Sequence, residues 1–126
     1  MDNESCIIYS GEKFTLEWYY DKNGKSVVYD FFCESPDDLQ DKFLVLVKKM
    51  GDFGKIYDIK KFRNEGDGIF AFKPKSDRYL SFFTDKKKII VTNGFKKKTK
   101  KLPENEKELA MEYRQDYFER KEGGGK

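Results

Sequence analysis

The stretch Ile89-Ile90-Val91-Thr92-Asn93-Gly94-Phe95-Lys96-Lys97-Lys98-Thr99-Lys100-Lys101-Leu102-Pro103 decides how the chain is read. Ile89, Ile90 and Val91 are consecutive β-branched residues, a pattern that suits a central strand covered on both faces. Asn93-Gly94-Phe95 leaves that strand, and five lysines then fall within six positions. Pro103 follows and can occupy the first position of a helix.

Reading upstream, Tyr79–Phe83 is a second strand and Asp85-Lys86-Lys87 the short turn between them. Ile69–Lys73 is a third strand, stopped by Pro74. Three strands joined by short connections predict an antiparallel meander. Lys13–Tyr20 alternates Phe14, Leu16 and Trp18 with Thr15, Glu17 and Tyr19, which predicts one more strand. Asp21-Lys22-Asn23-Gly24 is a turn. Two readings fit Val27–Cys33: β-branching at 27 and 28 favours a strand, while Ser26 as an N-cap makes Val27–Glu34 a short helix. Ser35, Pro36 and Asp38 open a clearer helix. It carries Leu39, Phe43, Leu46, Val47 and Met50 on one stripe, ends at Gly51 and is about 14 residues long. Residues 55–62 are mixed, and Gly66-Asp67-Gly68 is a turn.

Downstream, Leu109, Tyr113 and Tyr117 recur every four residues in an amphipathic helix, with Ala110, Arg114 and Phe118 beside them. The expected organisation is a single α+β domain over residues 1–122 with a flexible tail at 123–126.

Composition narrows the function. The net charge is +3 and 39% of residues are charged, but the charge is segregated. Residues 1–45 carry −6, residues 46–103 carry +11 and residues 104–126 carry −2. A cationic centre of this kind suits a polyanion, nucleic acid first. The chain has no histidine, which excludes histidine zinc sites, histidine triads and histidine general bases. Cys6 and Cys33 are too few for a disulfide framework; a single bridge between them is one reading, and two reduced, partly buried thiols is the favoured one. No cofactor and no metal site is expected. The acidic N-terminus lacks the pattern of a signal peptide, and no apolar run is long enough for a membrane helix, so a cytoplasmic protein is expected.

In an antiparallel meander, the end of strand 69–73, the start of strand 79–83 and the segment after Thr92 share one end of the sheet. Lys73, Arg78 and Lys96–Lys98 are therefore expected to meet there. Such a set neutralises phosphate and the charge developing during phosphoryl transfer. Crowded lysines depress one another's pKa, so one of them can move a proton without histidine. RNA brings its own nucleophile, the 2′-hydroxyl. Lys60, Lys61 and Arg63 precede the sheet and add cationic contacts, as do Lys100 and Lys101. Tyr79, Phe95 and Tyr57 are the aromatics near the basic set that can stack on an unpaired base.

The quoted stretch resembles the signature of the RelE/HigB superfamily of toxins, in its phage-derived Gp49-like, HigB-type branch. The shared features are a hydrophobic strand, a Gly-Phe pair, a Lys-Lys-Thr core and a proline before the last helix. Gly68–Lys73 resembles the family's strand ending in a basic residue, and Arg78–Phe83 its arginine-led strand. Gly24-Lys25-Ser26 before Val27–Phe32 resembles the start of its short first helix. The resemblance spans residues 13–120.

It implies a fold with an N-terminal strand, two helices, a three-stranded antiparallel meander and a C-terminal helix. It also implies a ribosome-dependent mRNA endoribonuclease, the toxin of a type II toxin–antitoxin system. A cognate antitoxin would neutralise it, commonly a helix-turn-helix DNA-binding protein encoded by a neighbouring gene. Arg78 would bind the scissile phosphate, Lys73 would neutralise the transition state, and Lys97 or Lys98 would shuttle a proton or clamp phosphate. Lys96 is the weaker candidate and serves RNA binding. The chain departs from the family where Lys73 and Pro74 stand in place of an arginine, and where Ala71 and Phe72 stand in place of a glutamate. Lysine keeps the charge but loses the bidentate fork. A catalytically inactive RNA-binding or antitoxin-binding module of the same fold is the alternative.

Overall fold

The computed structural model describes residues 6–124. The expected tail at 123–126 lies partly outside the described residues, at 125–126. Gly123 and Gly124 fall inside the last helix.

Among the described residues, six strands form one sheet. In chain order they are β1 (Ile7–Ser10), β2 (Thr15–Trp18), β3 (Phe62–Gly66), β4 (Ile69–Phe72), β5 (Asp77–Phe83) and β6 (Lys88–Lys96). Their spatial order is β1-β2-β6-β5-β4-β3. The meander β4-β5-β6 is antiparallel, as the short connections require, and β2 pairs with β6 in parallel. The described residues also form three helices: α1 (Val27–Glu34), α2 (Asp37–Phe53) and α3 (Glu104–Gly124).

The sheet is covered on both faces, and alternation along its strands sorts the core in two. Leu16, Tyr79, Ile89 and Val91 face α1 and α2, where they pack with Trp18, Val28, Phe43, Val47 and Met50. Ile69, Ala71, Leu80, Phe82 and Ile90 face α3, around Ala110. Ile89, Ile90 and Val91 are all fully buried, which explains why the strand reads as a continuous apolar run.

Residues 27–34 are helical. The Ser26 hydroxyl accepts the Tyr29 N–H at 3.2 Å and satisfies one of the orphan donors of the first turn. Several sequence expectations need correction. Ser35 does not open α2. It ends α1, its hydroxyl donating to the Phe31 carbonyl at 3.0 Å, and Pro36 is the N-cap of α2 with no side-chain bond. Gly51 does not stop α2, which continues to Phe53 and ends on Gly54 at φ 76°. Gly51 has a packing role instead, because a Cβ at that position would meet the Tyr9 ring at 2.8 Å. Asn93-Gly94-Phe95 does not leave β6. Asn93, Gly94 and Phe95 pair with Leu80, Tyr79 and Arg78. The pairing skips Thr92, which is a bulge in the strand. On α3 the contact with the sheet runs through the buried Ala110 and the half-buried Met111, Tyr113 and Tyr117, while Leu109, also half-buried, lies outside that cluster. Strands β1 and β3 add to the four strands that the sequence pattern predicts.

Candidate functional site: a cationic cleft at one end of the sheet

Three backbone bonds build the site. The Lys73 N–H donates to the Lys61 carbonyl at 2.8 Å, which brings the end of β4 against the start of β3. The Asp77 N–H donates to the Pro74 carbonyl at 3.1 Å and closes the turn into β5, with Lys75 at φ 54°. The Lys97 N–H donates to the Ser76 carbonyl at 2.7 Å, so the chain leaving β6 is held against that same turn. Together these bonds place Lys73, Arg78 and Lys97 around one cleft of about 270 Å³. Arg63, Lys100, Lys101 and Lys107 also line it, and Phe95, Leu102 and Pro103 supply an apolar wall. Two carboxylates, Glu65 and Glu104, stand among these cations.

Arg78 is pre-oriented. One guanidinium nitrogen donates to the carbonyls of Lys75 at 2.7 Å and Asp77 at 2.8 Å. Burial pulls its pKa below the ordinary arginine value, and the carboxylates of Glu65 and Asp77 oppose that shift. The Lys73 amine donates to the Ile59 carbonyl at 3.1 Å. Burial holds it below the usual lysine range, and the charges of Arg78, Arg63 and Lys97 push it further down. It is a cation held at a cost and suited to meeting an anion.

Not every residue nominated from sequence joins the cleft. Tyr79 is fully buried and stacked on Phe43 with ring centroids 3.8 Å apart, so it is closed to an RNA base. Lys96 turns away from the cleft and pairs with Asp77 at 3.1 Å. Lys98 lies on the adjoining surface with Lys96, Phe95 and Leu102. Lys60 and Lys61 sit on the loop before β3, outside the lining, while Lys61 contributes its backbone carbonyl. Lys73, Arg78, Lys97, Arg63, Phe95, Lys100 and Lys101 are the ones the fold brings together.

Glu65 and Lys107 were missed. Glu65 lies on β3, whose Arg63-Asn64-Glu65 run has no apolar alternation to mark it as a strand. The turn at Gly66-Asp67-Gly68 was the available signal, since a tight turn before β4 calls for a partner strand ahead of it. That turn is tied to α3: Lys107 pairs with Asp67 at 2.9 Å, and Arg114 donates to the Asp67 carbonyl at 2.5 Å. Strand β3 is thereby fixed beside the cleft.

Residues 30–115, about two thirds of the chain, match the family described as phage-derived protein Gp49-like. The chain belongs to the Gp49-like family. This is a toxin-like family of the RelE/HigB type. The match runs from α1 into α3 and includes every cleft residue named above. Among curated proteins, none matches the chain. Among the described residues, no helix is long and apolar enough to cross a membrane.

Proposed function

We propose that this Gp49-like protein is the toxin of a type II toxin–antitoxin system, of the HigB-type branch, and acts as a ribosome-dependent mRNA endoribonuclease. The observation that carries the reading is the convergence of Lys73, Arg78, Lys97 and Arg63 on one cleft beside the Phe95 wall. Its size and charge suit a phosphodiester with an unpaired base beside it.

In this mechanism Arg78, fixed by two carbonyls, holds the scissile phosphate. The 2′-hydroxyl attacks phosphorus, the bond to the 5′-oxygen breaks, and a cyclic phosphate and a free 5′-hydroxyl result. Lys73 neutralises the charge that accumulates on the phosphoryl oxygens. Lys97 delivers a proton to the leaving oxygen. Glu65 is the cleft carboxylate suited to accept the proton of the 2′-hydroxyl. Lys100 and Lys101 extend the contact to neighbouring phosphates. The partners are mRNA on the ribosome and an antitoxin, a helix-turn-helix DNA-binding protein encoded by a neighbouring gene. An acidic antitoxin segment laid in the cleft would compete directly with phosphate.

The test is induced expression with mapping of mRNA 5′ ends. Growth arrest with cuts inside translated codons is expected, and both effects disappear when Lys73, Arg78 and Lys97 are neutralised together in a protein that still folds. Normal growth with intact transcripts, despite abundant folded protein, would overturn the reading. RNA binding that survives under those conditions would point to the inactive module, consistent with Lys73 and Pro74 standing where the family resemblance implies arginine.

A further inference from the structure

The cleft leaves one neighbouring feature unused. The loop between α2 and β3, residues 54–61, displays Tyr57 at 83% exposure and Ile59 at 69%. The loop is nevertheless anchored. Ile56, immediately before Tyr57, is only 9% exposed and packs in the core beneath α1 and α2. The Asp58 carboxylate accepts the Lys60 N–H at 2.9 Å, and the Asp58 carbonyl accepts the N–H groups of Lys61 and Phe62 at 2.9 and 3.0 Å. An aromatic side chain is thus held out in water on a structured turn, with no packing reason for its position.

The loop also reaches the cleft. The Ile59 carbonyl accepts the Lys73 amine at 3.1 Å, and the Lys61 carbonyl accepts the Lys73 N–H. Tyr57 is two residues from Ile59, so at most about 7 Å of chain separates it from that contact. Charge around the ring favours an anion. Lys55, Lys60 and Lys61 face a single loop carboxylate, Asp58, which already accepts a backbone N–H. The Lys55 amine lies 5.9 Å from the Tyr57 ring centroid. A protein-binding patch is expected to exclude charge from its centre. An exposed ring interleaved with lysines beside a phosphate-sized cleft matches the chemistry of unpaired nucleotides, which bind by base stacking and backbone neutralisation.

We propose that Tyr57, with Lys60 and Lys61, forms a second nucleotide subsite that stacks an unpaired base adjacent to the nucleotide held at Lys73 and Arg78. The inference rests on the cleft being an RNA site. It assigns to the α2–β3 loop a hold on the strand that the cleft residues do not supply.

The experiment is fluorescence anisotropy of a short, unstructured, 2′-O-methylated RNA, which binds without being cut, across a series of salt concentrations. Tyr57→Ala is expected to weaken binding about 5- to 100-fold. Its salt slope should match that of the wild type, because stacking releases no counterions. Tyr57→Phe keeps the ring and should retain affinity. The double change Lys60→Ala and Lys61→Ala should flatten the slope. Thermal unfolding confirms that each variant folds. Wild-type affinity in Tyr57→Ala, with affinity lost in Lys97→Ala, would overturn the subsite and leave the cleft reading intact. Affinity unchanged in both variants, or no RNA binding by the wild type, would overturn the cleft reading and the subsite with it. Loss of a protein partner from Tyr57→Ala, with RNA affinity unchanged, would make the loop a protein contact and likewise overturn the subsite.

Discussion

Lys96 donates a hydrogen bond to Asp77 at 3.1 Å across the paired strands β5 and β6, and the Asp77 side chain is fully buried while that of Lys96 is 57% exposed. Its neighbour Lys97 lines the cleft. Two adjacent lysines in a run of three therefore have separable duties. Lys96→Ala strips a charge-assisted partner from a buried carboxylate and should cost roughly 1–2 kcal/mol, discounted for the exposure of the lysine. RNA affinity should change little. Lys97→Ala should leave stability near wild type and flatten the salt slope of RNA binding by about 0.7. The wild-type log–log slope should be roughly −3 to −4 if four to six phosphates are contacted. Chemical denaturation and a salt titration check both halves. A slope in Lys96→Ala as flat as that in Lys97→Ala would mean that both lysines face the RNA.

Gly94 explains the glycine of the Gly-Phe pair by packing rather than by conformation. A Cβ at position 94 would lie 2.5 Å from the Phe31 ring, so α1 rests directly on the β6 backbone. Gly94→Ala forces the helix off the sheet and should destabilise by roughly 1–3 kcal/mol. Phe31→Leu in the same chain should recover part of that loss in a double-mutant cycle. Additive effects of the two changes would sever the link between them.

The meander was legible because its signals are local. Pro74, the Asp85-Lys86-Lys87 turn and the apolar run at 89–91 each mark a boundary or a buried strand without reference to the rest of the chain. The meeting of Lys73, Arg78 and Lys97 followed from topology alone. What stayed hidden depends on distant partners. Strand β3 is polar and exists because β4 pairs with it, so Glu65 gave no sign of its place. The continuation of β6 through Asn93 depends on the bulge at Thr92 and on Asn93, whose side-chain amide donates to the Glu106 carbonyl at 3.1 Å. In the sequence Tyr79 is one of the aromatics near the basic set. Alternation puts it on the opposite face, against Phe43.

Asp116 joins α3 to Tyr19, the residue directly after β2. Its carboxylate accepts from Arg120 at 2.9 Å and from the Tyr19 hydroxyl, and the Tyr19 ring stacks on Tyr113. The Arg120 bond is the main reason its carboxyl lies below the usual range, with Tyr19 adding to the shift and burial opposing it. A carboxylate with a depressed folded pKa stabilises the fold fully above its unfolded value of about 3.9, and the benefit is lost as pH falls through the folded value. Asp116→Asn should therefore lower the urea midpoint at neutral pH, and the gap should close in acid. A gap that stays constant with pH would show that packing, rather than charge, holds α3.

Lys73 carries the opposite linkage. Burial first, then Arg78 and Arg63, depress its pKa. Between the folded value and the unfolded value of about 10.4, the unfolded chain binds the additional proton, so this residue makes stability rise with pH. Below the folded value the whole cost of keeping the amine charged is present. Lys73→Met removes that cost together with the bond to the Ile59 carbonyl, so the informative quantity is how its Tm difference from wild type varies with pH. The difference should move in favour of the wild type as pH rises from neutrality toward the lysine range. A flat difference would mean that the charge is not strained in the cleft. Cleavage separates charge from proton transfer. Lys73→Arg keeps the cation and cannot deprotonate, so it should cut RNA at near the wild-type rate if Lys73 only neutralises the transition state, whereas Lys73→Met should be inactive. An inactive Lys73→Arg that still folds and binds RNA would move the proton-transfer role from Lys97 to Lys73.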